Sequence, residues 1–261
     1  MESLMDKMYA LKSYHEVNEG SRDFAKIAQI IGQNINANAN VYLVGRRGKI
    51  LGYHLTDDSS CSKMHEVIDF SQRFPESYNQ KLLLVKETEK NSMDVGNFCF
   101  FSPIECPLQE RCVTIIPIFA GGDRLGTMVF SSAIKGLSDQ DLVLAEFGAM
   151  VAGIEIMCLI TERAESDHTR NKATVQIALS TLSYSEISAV GHIFSELGGT
   201  EGLVVASRVA DRVGITRSVI VNALRKLESA NVIQSKSLGM KGTYIRILNE
   251  NLLDELKKMG Q

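Results

Sequence analysis

Arg217, Ser218, Val221, Asn222 and Arg225 form the group of residues in this chain whose types and spacing best fit a defined chemistry. At helical spacing they share one face, and together they offer what a base edge in a DNA major groove demands. Arg can donate two hydrogen bonds to guanine, Asn can pair with adenine, and Val can touch a thymine methyl. A second group, Cys99, Cys106 and Cys112, lies within fourteen residues and raises the alternatives of thiol redox catalysis or of redox or metal sensing. A reactive thiolate needs nearby cations or a helix N-terminus, and only Arg111 is adjacent in sequence. The spacings match no zinc pattern, and His15, His54, His65, His168 and His192 show no HxH or HxxxH pairing. Asp57 and Asp58 read as turn residues rather than an acid/base pair. An enzyme is therefore not the expected reading.

The first group has a scaffold suited to it. Residues 205–244 read as a winged helix-turn-helix. Ala210 is the small residue where two helices cross, Gly214 tolerates the positive φ of the turn, and Val209, Val213, Ile215, Ile220 and Ala223 supply the apolar positions. Thr216 is expected to cap a reader helix over residues 217–229, with Val219, Ile220, Ala223, Leu224 and Leu227 turned inward. Strands at 232–237 and 243–247 flank a turn bracketed by Gly239 and Gly242, which makes a wing carrying Lys236 and Lys241. Between Ala206 and Arg246 there are eight basic residues and two acidic ones, a local charge of +6 on a chain of net charge −3. Such a patch suits phosphate neutralisation, and the predicted DNA contacts are Ala210, Thr216, Arg217, Ser218, Val221, Asn222, Arg225, Lys236 and Lys241.

Composition sets the frame. With 261 residues, 44% hydrophobic and 23% charged, the chain has room for two globular domains. The first residues lack the apolar run of a signal peptide, no uninterrupted apolar run reaches membrane-spanning length, and five cysteines without a CxxC pair suit a reducing compartment. A cytoplasmic protein is expected. Helical patterns cover residues 3–16 and 22–35, and hairpins are expected at 41–54 and at 112–131. A helix follows, opened by a Ser138/Asp141 capping box and carrying Leu144, Phe147, Val151, Ile154 and Cys158 at alternating spacings of three and four. Burial on its own domain is the first reading of that line, and a dimer seam the second. Residues 161–172 contain no Leu, Ile, Val, Met or Phe and no Pro or Gly, and read as an exposed helical connector. Another capping box, Ser183 with Glu186, opens an amphipathic helix ended by Gly198 and Gly199, and a last helix covers about 250–258. The expected fold is α+β: an antiparallel sheet flanked by helices in residues 1–160, the connector at 161–172, and the winged helix-turn-helix domain in 173–261.

Pro117-Ile118, Gly121-Gly122, Arg124-Leu125-Gly126-Thr127, Ser138-Asp139 and Leu144-Ala145-Glu146 resemble the closing hairpin and final helix of GAF sensor domains. Joined to the helix-turn-helix and to a lead-in helix at residues 178–186, they make the chain similar to the CodY family of nutrient-sensing global repressors. The resemblance implies a homodimer that binds A/T-rich inverted repeats in double-stranded DNA. It also implies a branched-chain amino acid (isoleucine, leucine or valine) as effector in the GAF domain, with GTP as a second effector in many members. The ligand positions it implies are Lys63, Met64, Val67, Phe74, Pro75, Pro103 and Ile104. Lys63 stands where the family has arginine, and the spacing from Met64 to Phe74 is one residue longer. An apolar socket with one cation for the carboxylate is what such a ligand requires. For GTP no motif stands out: Gly45-Arg46-Arg47-Gly48-Lys49 lacks P-loop spacing and falls in a hairpin.

Overall fold

The computed structural model describes residues 3–17, 22–35, 37–56, 62–93, 112–132 and 135–259. The chain divides into two compact units, Met1–Thr161 and Glu162–Gln261.

In the first unit, α1 (Leu4–Val17) and α2 (Phe24–Asn34) lead into the hairpin β1 (Ala39–Gly45) and β2 (Ile50–His54). Then come α3 (Ser62–Glu66), a π-helical turn at Val67–Ser71, α4 (Glu76–Leu84), β3 (Glu89–Ser92), β4 (Cys112–Ala120) and β5 (Asp123–Ser132). The sheet is antiparallel, in the order β2-β1-β5-β4-β3. Its central strands β1, β4 and β5 are apolar on both faces, so period-two alternation sorts their side chains into two cores. Val41, Leu43, Ile116, Ile118, Met128 and Phe130 meet Leu11 of α1, Ile27 and Ile31 of α2, and Leu144 and Ala152 further on. Tyr42, Val44, Val113, Ile115 and Val129 face the other way, against Met64, Ile68, Phe74, Tyr78 and Leu82. Gly52 lets β2 touch α2, since a Cβ there would stand 2.3 Å from the Phe24 carbonyl. The π turn admits one residue more than an α turn, and Met64 and Ile68 on either side of its start both pack on the sheet.

The helix α5 (Asp139–Ser180) runs 42 residues. Ser138 and Asp141 bond reciprocally at its start, as their spacing predicts. By length and hydropathy α5 could cross a membrane, but half of its apolar window is buried within the fold, and Leu144, Ala145, Ala149, Ala152 and Ile156 belong to the first core. It is a core helix. The polar stretch at 161–172 is helical and largely exposed. Thr161 closes the first unit, and residues 162–172 open the second. Beyond it, Val175, Ala178 and Leu179 pack into the second core.

That second unit continues through α6 (Tyr184–Leu197), β6 (Glu201–Val204), α7 (Ala206–Val213), α8 (Arg217–Ser229), β7 (Ile233–Ser237), β8 (Thr243–Ile247) and α9 (Asn251–Met259). Residues 178–186 are not one lead-in helix: α5 ends at Ser180, a turn follows, and Ser183 caps α6 in a complete capping box. The serine hydroxyl draws the chain out of helical geometry to reach the Glu186 N–H, which separates the two helices. The sheet order is β6-β8-β7, all antiparallel.

Candidate nucleic-acid interface and ligand-binding face

Helix α7 stops where Gly214 turns left-handed at φ 72°, and the N–H groups of Gly214 and Ile215 both reach the Ala210 carbonyl at 3.0 and 3.1 Å. Ala210 itself is buried with Val209, Ile220, Ala223, Leu224 and Leu227. It therefore allows close helix packing and is not placed to touch DNA, which corrects its inclusion among the predicted contacts. Thr216 has the extended backbone of an N-cap, but its side chain makes no capping bond; its hydroxyl pairs with that of Ser218 at 2.8 Å. Thr216 is thus the N-cap residue that the sequence predicts, without the side-chain bond, and it stays exposed at the start of the reader. The helical period leaves Arg217, Ser218, Asn222 and Arg225 exposed and Val221 half-buried on the same side.

The wing is the β7–β8 hairpin, with Ser237 opposite Thr243 and a 3₁₀ turn at Gly239–Lys241. Lys236 and Lys241 are both exposed on it. A third strand, β6, which the sequence reading omits, pairs with β8 and backs the wing. Gly242, at φ 115°, lies so close to it that a Cβ would stand 2.7 Å from the Val204 carbonyl.

The local charge of +6 overstates what is available to phosphate. Arg212 pairs with Glu196 at 3.3 Å, Lys226 with Glu186 at 2.8 Å and Arg246 with Glu201 at 3.5 Å. All three acids lie outside the 206–246 window and reach it only through the fold. Arg208, Arg217, Arg225, Lys236 and Lys241 remain exposed, with no ion pair among the described residues.

On the sensor side, the structure brings together three of the seven predicted ligand residues. Met64 and Phe74 are buried and Val67 half-buried in the cluster on the second face of the sheet. Phe74 meets Tyr42 and Tyr78 edge-on, with ring centroids 6.1 and 5.3 Å away. Pro75 is exposed, and its carbonyl accepts from the N–H groups of Tyr78 and Asn79 at the start of α4. Lys63 lies on α3 beside Met64, while its side chain and all of Pro103 and Ile104 lie outside the described residues. Tyr42, Tyr78 and Leu82 are further members of the cluster. The i, i+4 spacing of Tyr78 and Leu82 and the alternation of Tyr42 with Val41 and Leu43 were the available signals.

Arg124 holds this face in place. Its guanidinium donates to the carbonyls of Val85 at 2.6 Å and Leu82 at 3.3 Å, closing the C-terminus of α4, and to Gly126 and Thr127 on β5. It also lies 5.4 Å from the centre of the Phe119 ring. Burial pulls its pKa below the ordinary arginine value. A cation at a helix C-terminus satisfies carbonyls that have no partner within the helix.

Cys112 is buried on β4, and burial raises its thiol pKa, which disfavours the thiolate that redox or metal chemistry needs. Cys99 and Cys106 lie outside the described residues. Among the described residues no group of three or more His, Cys, Asp or Glu side chains could hold a metal. The segment 45–49 forms the β1–β2 turn, with no helix following to receive a phosphate.

Comparison with known proteins agrees with this geometry. The profile of the CodY GAF-like domain matches residues 3–181, and that of the CodY helix-turn-helix domain matches residues 200–259. The global transcriptional regulator CodY of Clostridium perfringens (strain SM101) is 51% identical over 237 residues, which cover 90% of each chain. Its namesake from Clostridium botulinum (strain Hall) is 48% identical over 261 residues, covering 99% of this chain and 100% of that one. A solved structure described as the cofactor-binding GAF domain of the nutrient sensor CodY from Clostridium difficile matches 60% of this chain and 99% of its own. Its sequence identity is 32% and its TM-score 0.42. The two full-length relatives are named as transcriptional regulators and not as enzymes. The chain belongs to the CodY family of global transcriptional regulators.

Proposed function

We propose that this regulator acts mainly as a repressor and that a branched-chain amino acid raises its affinity for an A/T-rich inverted repeat. The observation that carries the reading is the cluster of Met64, Val67 and Phe74 with Tyr42 and Tyr78, walled by short helices on the sheet face away from α1 and α2. Aliphatic and aromatic walls suit an isoleucine, leucine or valine side chain. Lys63, Pro75, Pro103 and Ile104 complete the proposed site, with the lysine as a point charge for the carboxylate. One methylene in such a socket is worth about 1 to 3 kcal/mol, so the three amino acids bind with graded strength.

The output side of the proposal is Arg217, Asn222 and Arg225 reading base edges while Lys236 and Lys241 meet phosphates. An inverted repeat calls for a homodimer, which presents two readers to successive major-groove faces. Exposed Val143 and Met150, beside half-buried Phe147, Ile154 and Cys158 on α5, support a seam between two copies. The protein works in the cytoplasm. GTP is retained as a second effector with no residues assigned to it. Isothermal titration of isoleucine, leucine, valine and alanine into the protein tests the ligand assignment: graded heats for the first three and none for alanine support it, and no heat for any of them refutes it.

A further inference from the structure

The carboxyl end of the reader helix α8 is held from two sides by charged residues that its DNA-reading face does not use. On one side Lys226 donates from Nζ to the Thr181 carbonyl at 3.0 Å and to Glu186 Oε2 at 2.8 Å. On the other, Glu228 accepts from the Ser235 N–H at 2.9 Å and from its hydroxyl at 3.0 Å, tying α8 to wing strand β7.

The Lys226 side is built into the fold. Glu186 is buried and is the third residue of α6, where the same Oε2 also accepts the Ser183 N–H at 2.7 Å to complete the capping box. Its pKa is lowered first by the Lys226 hydrogen bond and then by the Ser183 backbone, which favours the carboxylate form. Thr181 lies in the turn just after α5, where carbonyls have lost their helical partners, and the Lys226 ammonium satisfies one of them. The end of α5 is itself fastened to the same unit: Gln176 donates to Glu255 at 2.8 Å, and Asn249 donates to the Asn171 carbonyl at 2.9 Å. One ammonium therefore joins the end of α5, the start of α6 and the reader.

We propose that Lys226 is a positioning residue for base reading: through Glu186 and Thr181 it fixes how α8 is presented, and it is not one of the phosphate contacts its charge suggests. Bidentate contacts to bases tolerate errors of about half an ångström, so a reader loose at its far end keeps its charge and loses discrimination. The nonspecific term, set by the number of phosphates neutralised, stays as it was.

The test uses the full chain. Binding is measured, over a range of salt, to a duplex that the wild-type chain selects from a random library and to a scrambled duplex of the same composition. Lys226→Met keeps the aliphatic stem, and Glu186→Gln keeps the capping box while removing the charge. Each is expected to lower the ratio of selected to scrambled affinity about tenfold, the effect of one charge-assisted hydrogen bond. The double variant is expected to be no worse than either single one, because both break the same link. Lys226→Arg is expected to restore most of the ratio, and the salt slope on scrambled DNA is expected not to change. An equal loss on both duplexes with a salt slope lower by about one would make Lys226 a phosphate contact and overturn the proposal. So would an unchanged ratio in both Lys226→Met and Glu186→Gln.

Discussion

At the scale of single residues, the reader face makes claims that can be separated from one another. Arg217, Asn222 and Arg225 are exposed on one side of α8, and alanine at any one of them is expected to cost about 1 to 3 kcal/mol on the selected duplex and to relax preference at one position. Competition binding against duplexes altered at each base pair checks this; equal loss on all sequences would reduce that residue to a phosphate clamp. Ser218 is exposed in the first turn and already bonded to Thr216. Ser218→Asp places a carboxylate where DNA phosphate would approach and is expected to weaken binding by tenfold or more; unchanged affinity in a gel-shift titration would place Ser218 away from DNA. These outward positions were legible in the sequence because a 3.6-residue period and a buried apolar stripe assign them without reference to distant residues. At Thr216 the N-cap position was legible and the hydroxyl's partner was not, since that depends on which nearby group competes for it.

At the scale of elements, legibility followed how local the determining contacts are. The β1–β2 and β4–β5 hairpins and the capping boxes at Ser138 and Ser183 are written in residues a few positions apart. By contrast β6 has only four residues, and it is a strand because β8 lies beside it. β3 is a polar run, Glu89–Ser92, that pairs at the sheet edge. The basic patch shrank for the same reason, since Glu186, Glu196 and Glu201 come from other elements. The proposed ligand residues divide similarly: Met64 and Phe74 share a cluster on the sheet, whereas Pro75 is exposed just before α4. The α6 junction carries a pH prediction. Folding holds the Glu186 carboxyl below its ordinary value, so the charged form is the one the fold favours. Its contribution is complete above the range in which an unfolded carboxyl titrates, and it is lost as pH falls through the lower, folded value. Glu186→Gln is therefore expected to flatten the fall in thermal stability below about pH 5; identical pH profiles for the two proteins would contradict this. Arg124→Ala, which uncaps α4, is expected to lower unfolding stability by about 1 to 3 kcal/mol, read from denaturant midpoints. No loss would mean that α4 needs no cap from the β4–β5 hairpin.

At the scale of the whole molecule, a GAF-like unit and a helix-turn-helix unit share one chain, and α5 carries residues of both. The proposed seam on α5 predicts that Val143→Glu with Met150→Glu yields monomers by analytical ultracentrifugation and binds a single half-site no worse than wild type; a stable dimer would move the seam elsewhere. The central claim is that a metabolite held by the first unit controls the second. Its most direct test is the affinity of the full chain for the selected duplex as isoleucine is titrated, in wild type and in Phe74→Ala, with folding of the variant verified by its unfolding transition. Isoleucine is predicted to tighten wild-type binding in a saturable way and to leave Phe74→Ala unchanged. An affinity indifferent to isoleucine, or an equal response in Phe74→Ala, would contradict the account.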